Sequence, residues 1–251
     1  MNEETEQKLL TTLKLNVSYN HNFSKLSRRS IQVMDAWGLS RNKVHNIIYD
    51  FEFKLYNNAI YYICGYSGSG KSSLLLELHK QIGKLSFPQT YISNYRDAKI
   101  EQDVRLIDFY PEVDQNVRLK LMGKCGIIEA WKYITFFKDL SDGEKFRFIL
   151  YYYLMKTLTN KEFHDSIPHI ILFDEFCSTL DRITAKTIAQ NVKNVRKILN
   201  ENHKSIIMIF ASAHDDLINY INADYVYFKE FHPNVRDYEQ VTNEAQQSTN
   251  N

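Results

Sequence analysis

Nine residues, GYSGSGKSS from Gly65 to Ser73, set three glycines and four serines around a single lysine. The spacing Gly65-x-x-x-x-Gly70-Lys71-Ser72 predicts a loop that turns back on itself, so that successive backbone N–H groups converge on phosphate oxygens. Glycines permit that path. The helix expected just beyond adds its positive end, Lys71 reaches the β- and γ-phosphates as a point charge, and the Ser72 hydroxyl is suited to ligate Mg²⁺. A flexible Gly/Ser turn would have the same composition. Context separates the two, because this run lies between a buried apolar strand, AIYYICGY, and an apolar helical segment, SSLLLELHKQI.

Three further places carry residues fit for phosphate chemistry. In HIILFDEF, Asp174 ends a hydrophobic strand and is placed to hold Mg²⁺, with Glu175 beside it placed to face an attacking water. Paired acids there also serve as helix caps. In LSDGEKFRF, Ser141 and Glu144 have the spacing of a capping box, and a helix N-terminus with Ser141 and Gly143 exposed is also an anion site. His214 closes the strand IMIFASAH, where its imidazole could donate to a γ-phosphate.

The elements that must position these residues read as alternating buried strands and helices. Strands are expected over Lys14–Tyr19, Ile47–Tyr56, Ala59–Tyr66, Tyr91–Tyr95, Val104–Tyr110, His169–Phe176, Ser205–His214 and Tyr225–Phe231, with helices over Ile31–Trp37, Ser72–Ile82, Ser141–Leu158 and Ile183–Leu199. That alternation predicts an α/β protein with a mainly parallel central sheet flanked by helices, plus an N-terminal antiparallel β element and a short helical subdomain at about 112–145. One domain is expected over 1–232, with a polar, disordered tail over 233–251. Basic and acidic residues number 31 and 30, so no global field marks an obligate polyanion binder. Cys64, Cys125 and Cys177 lack metal-site spacing and suit reduced thiols in a cytoplasmic protein. No apolar run is long enough to span a bilayer, so direct membrane insertion is not expected.

Phosphate loop, LSDGE, LFDEF, STLD and a strand-terminal histidine, in that order from about Ile47 to Phe228, resemble the nucleotide-binding domains of ABC-class P-loop ATPases. The resemblance implies ATP and Mg²⁺ as ligands, with Gly65, Ser67, Gly68, Ser69, Gly70, Lys71, Ser72 and Ser73 binding the nucleotide. Ser72 and Asp174 would hold the metal, and Glu175, His214 and Lys71 would be catalytic. Asp181 in STLD would be the D-loop acid. Ser141 and Gly143 would act across an ATP-dependent head-to-tail homodimer. Gln115 is the first choice for the Q-loop glutamine, ahead of Gln102 and Asp108, and Trp37 or Tyr49 for the aromatic that stacks on adenine.

Departures from the pattern are informative. LSDGE replaces the usual LSGGQ, which sets Asp142 and Glu144 near a triphosphate unless they face away. An insert occupies about 160–168. The helical layer is shorter than in transporter ATPases, and the motif set is more similar to soluble ABC ATPases found alone or beside GNAT-type acyltransferases. That implies an ATP-driven clamp linked to nucleic-acid modification or repair, with an acyltransferase or nucleic-acid-processing partner. The alternative is the ATP-binding subunit of a membrane transporter; a small-molecule kinase and a nucleotide sensor are further readings. Lys25, Arg28, Arg29 and Arg41 beside Trp37 form a basic group that suits nucleic acid or simply a solvated turn.

Overall fold

Ile60 to Cys64 have no exposed surface, and their side chains alternate between two separate cores. Ile60, Tyr62 and Cys64 join one core while Tyr61 and Ile63 join the other. A strand apolar on both faces must be covered on both, which is the condition that builds a layered α/β sheet. The computed structural model describes residues 8–22, 25–40, 42–93, 98–159, 167–201 and 205–237.

The elements run β1 (Leu9–Asn22), α1 (Arg28–Trp37), β2 (Asn42–Tyr56), β3 (Ile60–Gly65), α2 (Lys71–Lys84) and β4 (Gln89–Ile92), then α3 (Gln115–Lys124), α4 (Ala130–Tyr133) and α5 (Asp142–Thr159). They continue with β5 (His169–Phe173), α6 (Arg182–Glu201), β6 (Ile206–Ala211), α7 (Ile218–Ile221), β7 (Tyr225–Lys229) and β8 (Val235–Asp237). Six strands form one sheet in the order β4-β5-β6-β3-β7-β8, parallel except for β8. β1 and β2 pair antiparallel as a separate two-stranded sheet. That hairpin and α2 cover one face of the main sheet, through Leu15, Phe53, Leu74 and Leu78. Residues of α3, α5 and α6, among them Leu121, Phe148 and Ile188, cover the other. The expected α/β class with a mainly parallel sheet and an N-terminal antiparallel element is what the chain adopts.

Three expectations are corrected. Val104–Tyr110 forms no strand: Leu106–Asp108 is a short 3₁₀ turn, and only Arg105 bridges to Phe136. Its buried Leu106 and Phe109 are spaced by one turn and anchor the segment to the helical side, so the apparent alternation was core anchoring and not a pleat. The polar tail set to begin at Pro233 instead opens with β8, which covers the edge of β7. The strand expected over Tyr91–Tyr95 ends at Ile92, with Asn94 and Tyr95 outside the described residues, as are 160–166 of the insert and Arg41.

Gly65 closes β3 opposite Lys229 with φ +145°, and a Cβ there would overlap the Lys229 carbonyl. Neither partner is free to retreat from a paired strand. Gly65→Ala should therefore cost about 1–3 kcal/mol in urea unfolding. Gly123→Ala, in α3 with nothing within 4 Å of the new Cβ, is the control and should gain roughly 0.5–1 kcal/mol.

Candidate functional site: a cleft at the sheet's edge

Parallel neighbours emerge at the same edge of a sheet, so the loops that follow β3, β5 and β6 are forced side by side. Backbone hydrogen bonds extend the order past the strands: Ser212 N–H donates to Ile63 O at 3.0 Å, and Phe176 N–H to Ala211 O at 2.8 Å. Between these loops lies a cleft of about 520 Å³, lined by Ser67, Gly68, Gly70, Lys71, Ser72 and Ser73, by Asp174 and Glu175, and by His214. The size suits a small-molecule ligand.

The glycine loop joins β3 to α2, between strand and helix as expected. Gly68 and Gly70 take positive φ, +78° and +98°, and the Gly70 position abuts Ile47, whose Cγ2 would lie 2.5 Å from an added Cβ. α2 starts at Lys71, directly behind the loop. The Lys71 ammonium donates to Gly65 O at 2.8 Å and Tyr66 O at 2.7 Å. Burial lowers its pKa, opposed by the charges of Asp174 and Glu175. Ser69 is buried with its hydroxyl unpaired.

Asp174 and Glu175 part company at the end of β5. Burial raises the Asp174 pKa, while the Ser72 hydroxyl, the Glu175 N–H at 3.0 Å and Lys71 favour its carboxylate. Glu175 is exposed and holds a left-handed φ of +50°. That conformation is imposed by the next residue: Phe176 is fully buried against Phe146, Phe173 and Phe210. Turning the aromatic inward presents the acid outward, at a backbone cost of order 1–3 kcal/mol. His214 follows β6. Its carbonyl accepts from Tyr62 Oη at 2.6 Å, and its N–H donates to Ser212 Oγ at 3.3 Å. Burial lowers its imidazole pKa, with Arg182 and Lys71 adding to the effect and Asp215 opposing it.

The remaining expected residues lie elsewhere. Ser141 and Glu144 form a reciprocal capping box, Ser141 N–H to Glu144 Oε2 at 2.9 Å and Glu144 N–H to Ser141 Oγ at 3.4 Å. Glu144 also pairs with Lys132 at 2.5 Å. Burial alone would raise its pKa, but Lys132 and Ser141 outweigh that and hold it low. Ser141 is exposed, and Gly143 approaches the STLD segment, where an added Cβ would lie 3.3 Å from Leu180. Neither lines the cleft. Asp181 accepts from Ile183 N–H at 3.1 Å and Thr184 N–H at 3.0 Å, so it caps α6.

Gln115 is not brought to the cleft. It is exposed in the first turn of α3, whose start is fixed by the Asp114 carboxylate accepting from Asn116 and Val117 N–H. Trp37 and Tyr49 also lie outside the lining. Tyr19 of β1, itself outside the lining, reaches the cradle with its hydroxyl 3.4 Å from Ser73 Oγ. The long β1–β2 excursion separates Tyr19 from the loop in sequence, and register of the hairpin was the only available signal. A second unforeseen residue is Lys229. It is completely buried beneath the loop, its ammonium donating to Glu230 O at 2.7 Å and His232 O at 2.8 Å.

Comparison with solved structures finds the same arrangement of chain. One similar structure is the dimeric MJ0796, a bacterial ABC transporter cassette, with TM-score 0.57 and 12% identity over 90% of this chain and 98% of that one. Another is a dimeric post-hydrolysis state of the ATP-binding cassette MJ0796 bound to ADP and Pi, with TM-score 0.56, 12% identity and the same coverage. The chain therefore has the ABC-cassette fold. No protein-family model and no curated protein matches the sequence.

His214 binds its proton less tightly in the folded chain than in the unfolded one, so the unfolded state takes up more protons as pH falls below about 6.5. Acid should thus erode stability from that pH down through the folded-state pKa. His214→Asn should remove this part of the pH dependence, seen by comparing urea midpoints of both proteins between pH 8 and pH 5.

Proposed function

We propose that the protein is an ATPase that works as a dimeric clamp, two chains closing on nucleotide and reopening after hydrolysis. One observation carries this reading. The cradle residues Lys71 and Ser72, the acids Asp174 and Glu175, and His214 share one cleft, while the helix tip with exposed Ser141 and half-buried Gly143 lies outside it. A tip so placed can serve a cleft on a second copy.

In this reading Gly65 to Ser73 surround the phosphates with backbone N–H groups and hydroxyls, and the Lys71 ammonium exchanges its loop carbonyls for phosphate oxygens. Tyr19, beside Ser73, is the aromatic placed for the base. Among the described residues no group of three or more His, Cys, Asp or Glu could enclose a metal. The hydrogen-bonded Ser72 and Asp174 suit Mg²⁺ instead, an ion that keeps several waters and takes oxygens from phosphate. Bound there, Mg²⁺ would neutralise charge on the phosphates. Glu175 orients and deprotonates the attacking water, and His214, held neutral near pH 7 by burial, donates to the phosphoryl group. The partner's Ser141 tip adds helix-end N–H groups as closure excludes water, where each contact counts for more. Asp181 supports this by fixing the start of α6 behind the STLD loop.

Of the two LSDGE carboxylates, Asp142 is exposed at the tip, and Glu144 does not oppose closure. Glu144 is turned onto Lys132 and the Ser141 N–H, so its charge is answered within its own chain.

Glu175→Gln should lower the rate of phosphate release by about 10²–10⁴ while leaving ATP binding intact. Sizing chromatography with ATP and Mg²⁺ should then show a dimer. Persistent monomer would sink the clamp, and appearance of the γ-phosphate on an acceptor would favour a kinase. Capture of polypeptides on the Glu175→Gln protein with ATP separates the settings. Nucleic-acid-processing enzymes are expected for a clamp in modification or repair. A polytopic membrane protein would instead support the transporter role that the similar cassette carries by name.

A further inference from the structure

α1 is a helix without a core. None of its ten residues is buried, and its Ile31, Val33 and Trp37 are 39%, 54% and 77% exposed. Yet it is well terminated. Ser27 Oγ accepts from Ser30 N–H, Gly38 takes the left-handed conformation, and Leu39 N–H returns to Met34 O at 2.9 Å. A helix this short is marginal by itself in water, and its exposed apolar stripe calls for a partner.

A second exposed apolar group lies on the helical side of the molecule, around α4. Ile128, Trp131 and Ile134 are 74%, 58% and 59% exposed. Lys132 ties this group to the first turn of α5, standing 3.9 Å over the Trp131 ring and pairing with Glu144. Both groups are exposed in the same chain, so they do not cover each other there.

We propose that α1 is a clasp that seats on the α4 surface of a second copy of this chain. The inference rests on the clamp reading above. Two arguments select the second copy as occupant. The first is position: α1 continues from β1, whose Tyr19 touches Ser73 of the cradle, while α4 is pinned to the helix tip that meets the opposing cradle. Where tip would meet cradle, this places α1 of one chain toward α4 of the other, and two-fold symmetry would repeat the contact. The second is charge. Exposed Lys25, Arg28 and Arg29 at the start of α1 outnumber its exposed Asp35, while around α4 Lys132 and Lys138 are paired with Glu144 and Asp103 and the exposed acids Glu129 and Asp139 stand beside them. Opposite signs at the rim favour this pairing over α1 with α1.

The test is a double-mutant cycle in the full-length Glu175→Gln protein with ATP and Mg²⁺, reading the dimer dissociation constant by sedimentation. Trp37→Ala and Trp131→Ala change exposed residues, so folding should survive, and each should weaken the dimer at least tenfold. The double variant should be no weaker than the worse single one, because both remove one contact. Unchanged dissociation in either single variant, or losses that multiply in the double, would overturn the clasp while the dimer itself stands. If the parent Glu175→Gln protein stays monomeric, the clamp fails first and the clasp with it. A single-stranded DNA oligonucleotide that binds in a salt-sensitive way and is released by Trp37→Ala, with the dimer unaffected, would reassign α1 to nucleic acid.

Discussion

Register between parallel strands is the constraint on which the rest depends. Phe173 lies opposite Phe210 and Ile63 opposite Ala211, so the chain leaves β5, β6 and β3 at nearly the same height. Asp174, Ser212 and the glycine loop are thereby delivered to one place, where the Ser72 hydroxyl meets the Asp174 carboxylate. A one-residue slip would reverse the facing of every side chain in a strand, and because both faces are packed with large apolar groups it would cost the core. The site is held by the same burial that holds the sheet.

Electrostatics follow from where that site sits. Burial raises the proton affinity of Asp174 and lowers that of Lys71, each mitigated by the other's charge. The two groups are therefore coupled through partial dehydration, and a polyanion entering the cleft would meet a cation whose hydration is already reduced. Lys229 adds a second layer. Burial lowers its pKa, Glu230 opposes this and Lys71 reinforces it, which means the two ammonium groups feel one another through the loop. Its carbonyl presses on Gly65, so the residue that fixes the turn after β7 also sets the floor of the cradle.

Much of this was legible in the residues themselves. Continuous apolar runs flanked by glycines and acids announced the buried parallel strands, and the glycine-loop spacing announced the cradle, because both patterns are local. Ser141 and Glu144 were legible for the same reason, as a capping box closes over three residues. What failed was non-local. Val104–Tyr110 alternates like a strand but has no strand to pair with. Order along the chain points to Gln115, whereas its position is set by the Asp114 cap. Tyr19 and Lys229 reach the site through hairpin register and through the turn beyond β7, and neither leaves a mark in spacing.

An exposed Glu175 and a cleft of about 520 Å³ pose a physical problem for hydrolysis. Open to water, the charges of Lys71 and of the helix end act through a high dielectric and stabilise little. Something must cover the cleft if those charges are to count. The strain at Glu175 is already committed in the folded chain, since Phe176 locks the turn, so no further rearrangement is needed to aim the acid. In the clamp proposed above, that cover would come from the exposed Ser141 tip of a second copy, with Glu144 paired to Lys132 behind it. Ser141 lies outside the cleft lining of its own chain, so in the proposed clamp tip and cleft would meet between copies.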